Sequence, residues 1–144
     1  SDYYQRVGYS SERFEPTGFD NLVQRGRVVF DSDPAHWEAA MFTGIDRVAQ
    51  WSRATGLGLY TSECWVVVDY KDWPGLEWDW VKDTNAKAVA RAAATGRWVG
   101  IATSNFCAPQ FVEMWRDINW HRRLTGLITT AHIDADLHRG APTP

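Results

Sequence analysis

Cys64-Trp-Val-Val-Val-Asp-Tyr-Lys-Asp-Trp-Pro-Gly-Leu-Glu-Trp-Asp-Trp80 is the stretch on which the reading of the fold turns. It opens as the most hydrophobic and β-branched run in the chain, reaches an acid at Asp69, and turns over Pro74-Gly75 into a tryptophan-rich helix start. A short apolar run bounded by turn signals suits a strand buried on both faces, and such a strand delivers the following loop to the rim of a sheet. Residues 64–70 are therefore expected to form a central parallel strand, with the loop 71–75 and the helix start beyond it as the place for a site.

Downstream, a helix is expected over 76–95, where Asp83 and Lys87 stand in the favourable order on an exposed face and Gly96 ends the run. Residues 97–103 are short and apolar and read as the next buried strand, opening into the loop 104–109. Phe111, Met114, Trp115 and Ile118 then mark the apolar face of a helix ending at Gly126, and 127–133 alternates as a last strand. Residues 134–139 suit one further helical turn.

Upstream, Asp33 before Pro34 is a helix-start signal, because the carboxylate can accept orphan amides and proline occupies a turn where no donor is missed. The helix over 34–55 carries Trp37, Met41, Ile45, Val48 and Ala49 as its apolar stripe, widened by Trp51, and Gly56 stops it. Residues 57–62 read as a Gly-rich loop, and 22–30, with β-branched residues on both sides of Gly26, as a bent strand.

Thr-Gly closes all three expected helices, at Thr55-Gly56, Thr95-Gly96 and Thr125-Gly126, and a strand follows each. The expected fold is thus a single α/β domain of β-β-α-β-α-β-α-β order, with a four- or five-stranded mainly parallel sheet and an antiparallel N-terminal edge. Residues 1–20 form an N-terminal segment with room for an edge strand, 21–139 the domain, and 140–144 a frayed tail.

Composition removes several functions. At 144 residues and 44% apolar content the chain can bury a core without staples, and a formal net charge of −3 offers no field for nucleic-acid backbones. The basic run His121-Arg122-Arg123 more simply complements a helix end. Cys64 and Cys107 are too few for a disulfide scaffold, and His36, His121, His132 and His138 have no metal-ligand spacing, so no metal and no cofactor is expected. No run is long and apolar enough to span a bilayer and the first residues lack a signal-like apolar stretch, which leaves a cytoplasmic protein as the expectation.

Taking the carboxyl ends of the expected strands as the ligand side gathers Asp31, Asp33, Asp69, Asp72, Ser104, Asn105, Cys107, His132 and Asp134. Asp69 suits a base or metal ligand, or equally a cap on a loop amide or a partner for Lys71. Ser104 lacks a nucleophile-elbow motif and has only His132 as a reasonable base. Cys107 suits a thiol activated by a helix start, or a small buried hydrophobe. Nine tryptophans are the outlier, and Trp73, Trp78 and Trp80, interleaved with acids including Asp79, cannot all point into one core.

The element order and the pattern Val66-Val-Val-Asp-Tyr-Lys-Asp-Trp-Pro-Gly75 resemble the STAS and SpoIIAA-like superfamily. That resemblance implies a small cytoplasmic regulatory domain, although the phosphorylatable hydroxyl of its signalling members has no counterpart in Leu76-Glu-Trp-Asp-Trp80. The leading expectation is a non-enzymatic binding domain holding a protein partner or an apolar ligand through Asp69, Trp73, Trp78, Asp79, Trp80, Asn105 and Phe106. The alternatives are a small hydrolase-like enzyme using Asp69, Ser104 and His132, and a self-associating structural subunit.

Overall fold

The computed structural model describes residues 16–62, 65, 79–102 and 117–140. In order these form α1 (Pro16–Ser32), α2 (Pro34–Thr55), β1 (Leu59–Thr61), α3 (Asp79–Ala94), β2 (Trp98–Ile101), α4 (Ile118–Thr129) and a 3-10 helix at Ala135–Gly140. The expected four- or five-stranded sheet is not what these residues build: they are mostly helical, and β1 and β2 make a two-stranded parallel pair.

The first correction lies in 22–30, expected as a strand and found inside α1. Val23, Gly26 and Phe30 are the half-buried positions, and their spacing of three and four is helical. The valines that suggested a strand sit on the other side, with Val28 66% and Val29 45% exposed. Arg27 and Asp31, one turn apart, add an ion pair at 2.6 Å.

At the next corner the side chain of Asp33 accepts from the His36 N–H at 3.0 Å while Pro34 occupies the first turn, and α2 starts there as expected. Its buried face is Ile45, Ala49 and Ser52; Val48 and Trp51, expected on that face, are exposed. Gly56, at φ 74°, closes α2 with its N–H on the Ser52 carbonyl at 2.9 Å.

β1 falls within 57–62, the stretch expected as a loop. Leu59 aligns with Trp98 and Thr61 with Ile101 in parallel register, the Leu59 N–H donates to Arg97 O at 2.9 Å, and the Trp98 indole N–H donates to Thr61 Oγ1 at 2.6 Å. The expected strand 64–70 lies outside the described residues except Trp65, and so does the helix face at Phe111, Met114 and Trp115.

The last correction is at Gly126. Expected as a stop, it lies inside α4, which runs on to Thr129, so the strand expected over 127–133 is instead helix end and irregular chain. Gly56 and Gly96 adopt the left-handed φ of a helix stop and Gly126 does not, so the helix runs through it. Leu127 and Ile128 pack back on Trp120 and Leu124 as helical neighbours.

Helix α3 is the central element. Ala88 and Ala92 pack with Ile45 and Ala49 of α2 and with Leu59 and Trp98 of the strands, while Val89 packs with Trp120 and Leu124 of α4. Alanines suit a helix pressed between two others, because they bring backbones close at no rotamer cost. Glu38–Lys87, Asp46–Arg91 and the Arg53 guanidinium on Thr95 O link α2 and α3 in ascending order on both, so the two helices run parallel.

Candidate functional site

The parallel course of α2 and α3 gives the β1-α3-β2 unit two chemically distinct ends. At the amino ends of the strands, Arg97 is 1% exposed and fully engaged. Its Nε donates to Ser52 Oγ at 2.8 Å, Nη2 to Ser52 O at 3.1 Å, and Nη1 to both oxygens of Asp136 at 2.7 and 2.8 Å and to Asp134 at 3.4 Å. The Asp136 hydrogen bonds, with help from Asp134, raise the guanidinium pKa further against the opposing effect of burial. The Asp134 N–H donates to Gly96 O at 2.9 Å, so the chain after α4 is tied to the start of β2.

At the opposite end the chain leaves β1, and Trp65 stands there with its ring edge-on to Trp98, centroids 6.2 Å apart at 61°. Trp65 is half-buried and packs on both core clusters. The start of α2, the end of α1 and the start of α3 converge on the same region. Phe30 and Trp80 lie 5.0 Å apart at 36°, and the Trp37 indole N–H donates to Val29 O at 3.2 Å. Gly26, Val29, Phe30, Trp37, Met41, Trp65 and Thr84 line an open cleft of about 290 Å³.

Two acids and a lysine sit at this end. Lys82 bridges Asp79 at 3.2 Å, at the start of α3, and Asp117 at 3.1 Å, which caps α4 by accepting from the Trp120 N–H at 3.0 Å. Burial alone would lower the Lys82 pKa, but Asp117 and Asp79 outweigh it and hold the ammonium above its usual range. Asp117 is held below the usual carboxylate range, first by the Trp120 amide and then by Lys82. A carboxyl that serves as a general acid must keep its proton at neutral pH, and Asp117 has the opposite tuning.

Of the seven residues expected to bind a partner or ligand, Asp79 and Trp80 are described, and both stand at the first turn of α3 on the aromatic end, while Asp31 pairs with Arg27 and Asp33 caps α2. Asp69, Trp73, Trp78, Asn105 and Phe106 lie outside the described residues, as do Ser104, Cys107 and Asp72. His132 is 82% exposed in its side chain and 3.8 Å from Asp134, at the end where β2 begins. The sequence does not announce Phe30, Trp37, Met41, Trp65 and Thr84 as a cleft, because its patterns set Trp37 and Met41 in a core stripe and Phe30 in a strand. Once 16–32 is helical, Phe30 and Trp37 flank one corner, seven residues apart. Among the described residues no group of three or more His, Cys, Asp or Glu is placed to hold a metal ion.

A mostly helical domain with a parallel β-α-β unit, aromatic at the carboxyl ends of its strands and ion-paired at the amino ends, has the layout of an α/β ligand-binding unit. Residues 1–129 match the cellulase-like family, described as sugar-binding cellulase-like, and the chain belongs to that family. A solved structure from Parabacteroides distasonis ATCC 8503, a protein assigned provisionally as a glycoside hydrolase, is 44% identical with a TM-score of 0.83. That likeness covers 97% of this chain and 37% of the other, so the chain spans well under half the length of its neighbour. No curated protein matches the chain.

These findings overturn the resemblance to STAS and SpoIIAA-like domains and, with it, the non-enzymatic regulatory role. The resemblance rests on an element order in which 22–30 and 127–133 are strands, whereas 22–30 is helix and 127–133 is helix end and irregular chain. No helix among the described residues is long and apolar enough to cross a membrane.

Proposed function

We propose that this chain is the saccharide-binding part of a glycoside-hydrolase-type protein, and that its ligand sits at the carboxyl ends of β1 and β2. The observation that carries the proposal is the gathering of Phe30, Trp37, Trp65 and Trp80 at that one end. A pyranose ring presents a flat face of C–H groups, and an indole offers that face an apolar, polarisable surface of matching size. Family membership and the 44% identical neighbour, assigned provisionally as a glycoside hydrolase, support the same ligand class. On this reading Asp69, Trp73, Trp78, Asp79, Trp80, Asn105 and Phe106 are saccharide contacts, the tryptophans by stacking and the acids and amide by accepting and donating hydroxyl hydrogen bonds.

Hydrolysis by the larger protein is the second reading, favoured by the same neighbour. Glycosidic bonds are broken by paired carboxyl groups more commonly than by a serine and histidine. Asp69 has the right chemistry for one member of such a pair. Ser104 and His132 do not fit this chemistry, and the exposed His132 keeps company with Asp134 at the amino end of β2.

Calorimetric titration with cellotetraose tests the proposal. Saturable heat is expected from the native chain, and Trp80→Ala should weaken binding by about fivefold or more. Absence of binding to cellotetraose and to other neutral oligosaccharides by the folded chain would remove the proposal.

A further inference from the structure

We infer that the outward face of α2 is a self-association surface, on which two copies of the chain pair their α2 helices antiparallel about a two-fold axis. The inference does not rest on the carbohydrate reading. Trp37, Met41, Gly44, Val48, Trp51 and Thr55 follow one another at alternating steps of four and three residues along α2. That 3.5-residue period marks a seam that packs against another helix. The core face of α2 is the neighbouring row, Ile45, Ala49 and Ser52, so the seam is a second row beside it. Val48 and Trp51 are 45% and 52% exposed, and nothing lies within 4 Å of where a Gly44 Cβ would stand. The seam begins at the lip of the cleft, which Trp37 and Met41 also line, and runs on past it along the helix.

The order of side-chain sizes along the seam identifies the occupant as a second copy. With the two-fold at the level of Asp46, whose own side chain turns away to Arg91, Gly44 of one copy meets Val48 of the second copy, Met41 meets Trp51, and Trp37 meets Thr55. Every level then sets a larger side chain against a smaller or more pliant one, and does so twice, as an isologous contact requires. Gly44 lets the backbones approach, Val48 of the second copy fills the space over it, and Met41 offers the Trp51 ring a polarisable sulfur. A parallel pair would set Gly44 on Gly44 and Trp51 on Trp51, a void close to a crowded level. The antiparallel course also lays the two helix dipoles head to tail.

The area available sets the strength. Trp37 and Trp51 are each about half exposed, so together they offer about one whole indole per copy, roughly 200 Å². With Met41, Val48, Thr55 and the exposed rim of Thr43, Arg47 and Gln50, two copies bury on the order of 1,000 Å², the low end for specific association. The dimer is therefore concentration-dependent and not permanent. Arg47 stands beside Val48 on the rim and comes near its own counterpart across the two-fold, so salt that screens these like charges tightens the pair.

Sedimentation equilibrium of the native chain is the test. The mean mass should rise from one chain towards two between about 5 μM and about 500 μM protein, and the dissociation constant should fall when NaCl is raised from about 50 mM to about 500 mM. Trp51→Glu should raise that constant at least about tenfold, whereas Ile118→Glu, at an exposed apolar position on α4, should leave it within about twofold. Gly44→Val should raise it at least about fivefold by crowding Val48 of the second copy. The double variant Gly44→Val/Val48→Ala restores one larger and one smaller side chain at that level and should recover most of the loss. All these positions face solvent in the single chain, and far-ultraviolet circular dichroism checks that each variant keeps its helices. A mass of one chain at every concentration overturns the inference. A dimer that is indifferent to Trp51→Glu, weakens with salt, or is no tighter in the double variant than in Gly44→Val overturns it as well.

Discussion

Gly96 carries two constraints at once. Its φ of 74° lies in the left-handed region, and a Cβ there would stand 2.3 Å from Asp134 Oδ1. Gly96→Ala is expected to cost about 1–3 kcal/mol, measured by urea denaturation, because either the backbone or the Asp134 contact must yield. Arg97 is held by a fork of hydrogen bonds that lysine cannot reproduce, so Arg97→Lys should lower the urea midpoint more than Asp136→Asn, which leaves the Ser52 contacts in place. Asp117 sets a pH dependence. Its carboxylate is held below the usual range, so it contributes stability at pH values above about 4 that is lost as pH falls through its lowered folded pKa. Asp46, lowered mainly by its hydrogen bond from Arg91, acts in the same direction. Thermal midpoints between pH 6 and pH 2 should therefore fall, and less steeply in Asp117→Asn than in the native chain.

At the scale of elements, α3 is the part the others pack on, and its small residues are the reason. Ala92, fully buried between α2 and the strands, has no space for a larger side chain, and Ala92→Leu should cost about 1–3 kcal/mol by overpacking. A larger effect than for Ala94→Leu, which changes an exposed alanine two residues further on, would confirm the packing. The same elements mark what was legible in the sequence. Asp33-Pro34 and Thr55-Gly56 bounded α2 correctly because caps are local chemistry, read from a few adjacent residues. α1 was missed because Val28 and Val29 carry a strand preference that the helical spacing of Val23, Gly26 and Phe30 overrides. α4 was cut short at Gly126 because glycine signals a stop only where the chain actually turns, as at Gly56 and Gly96. β1 was passed over as a loop because three residues bounded by glycine carry too little pattern, and what makes Leu59–Thr61 a strand is its partner at Trp98–Ile101, far along the chain.

For the molecule as a whole, the consequence of parallel α2 and α3 is a division of labour between two ends. Ion pairs around Arg97 fasten the amino ends of the strands, and aromatic rings gather at the carboxyl ends. The abundance of tryptophan is legible in the sequence, and so is a helix that carries Asp79 and Trp80 in its first turn. Which tryptophans stand together was not, because Trp37, Trp65 and Trp80 come from three different places in the chain and meet only through packing. The central claim is that a saccharide binds at the aromatic end of the β1-α3-β2 unit. It is tested most directly by a crystal structure of the chain grown with cellotetraose. Sugar density over the carboxyl ends of β1 and β2, against Trp80 or Trp65, is the expected result. Density confined to the Arg97, Asp134 and Asp136 end, or no bound sugar at saturating concentration, would contradict it.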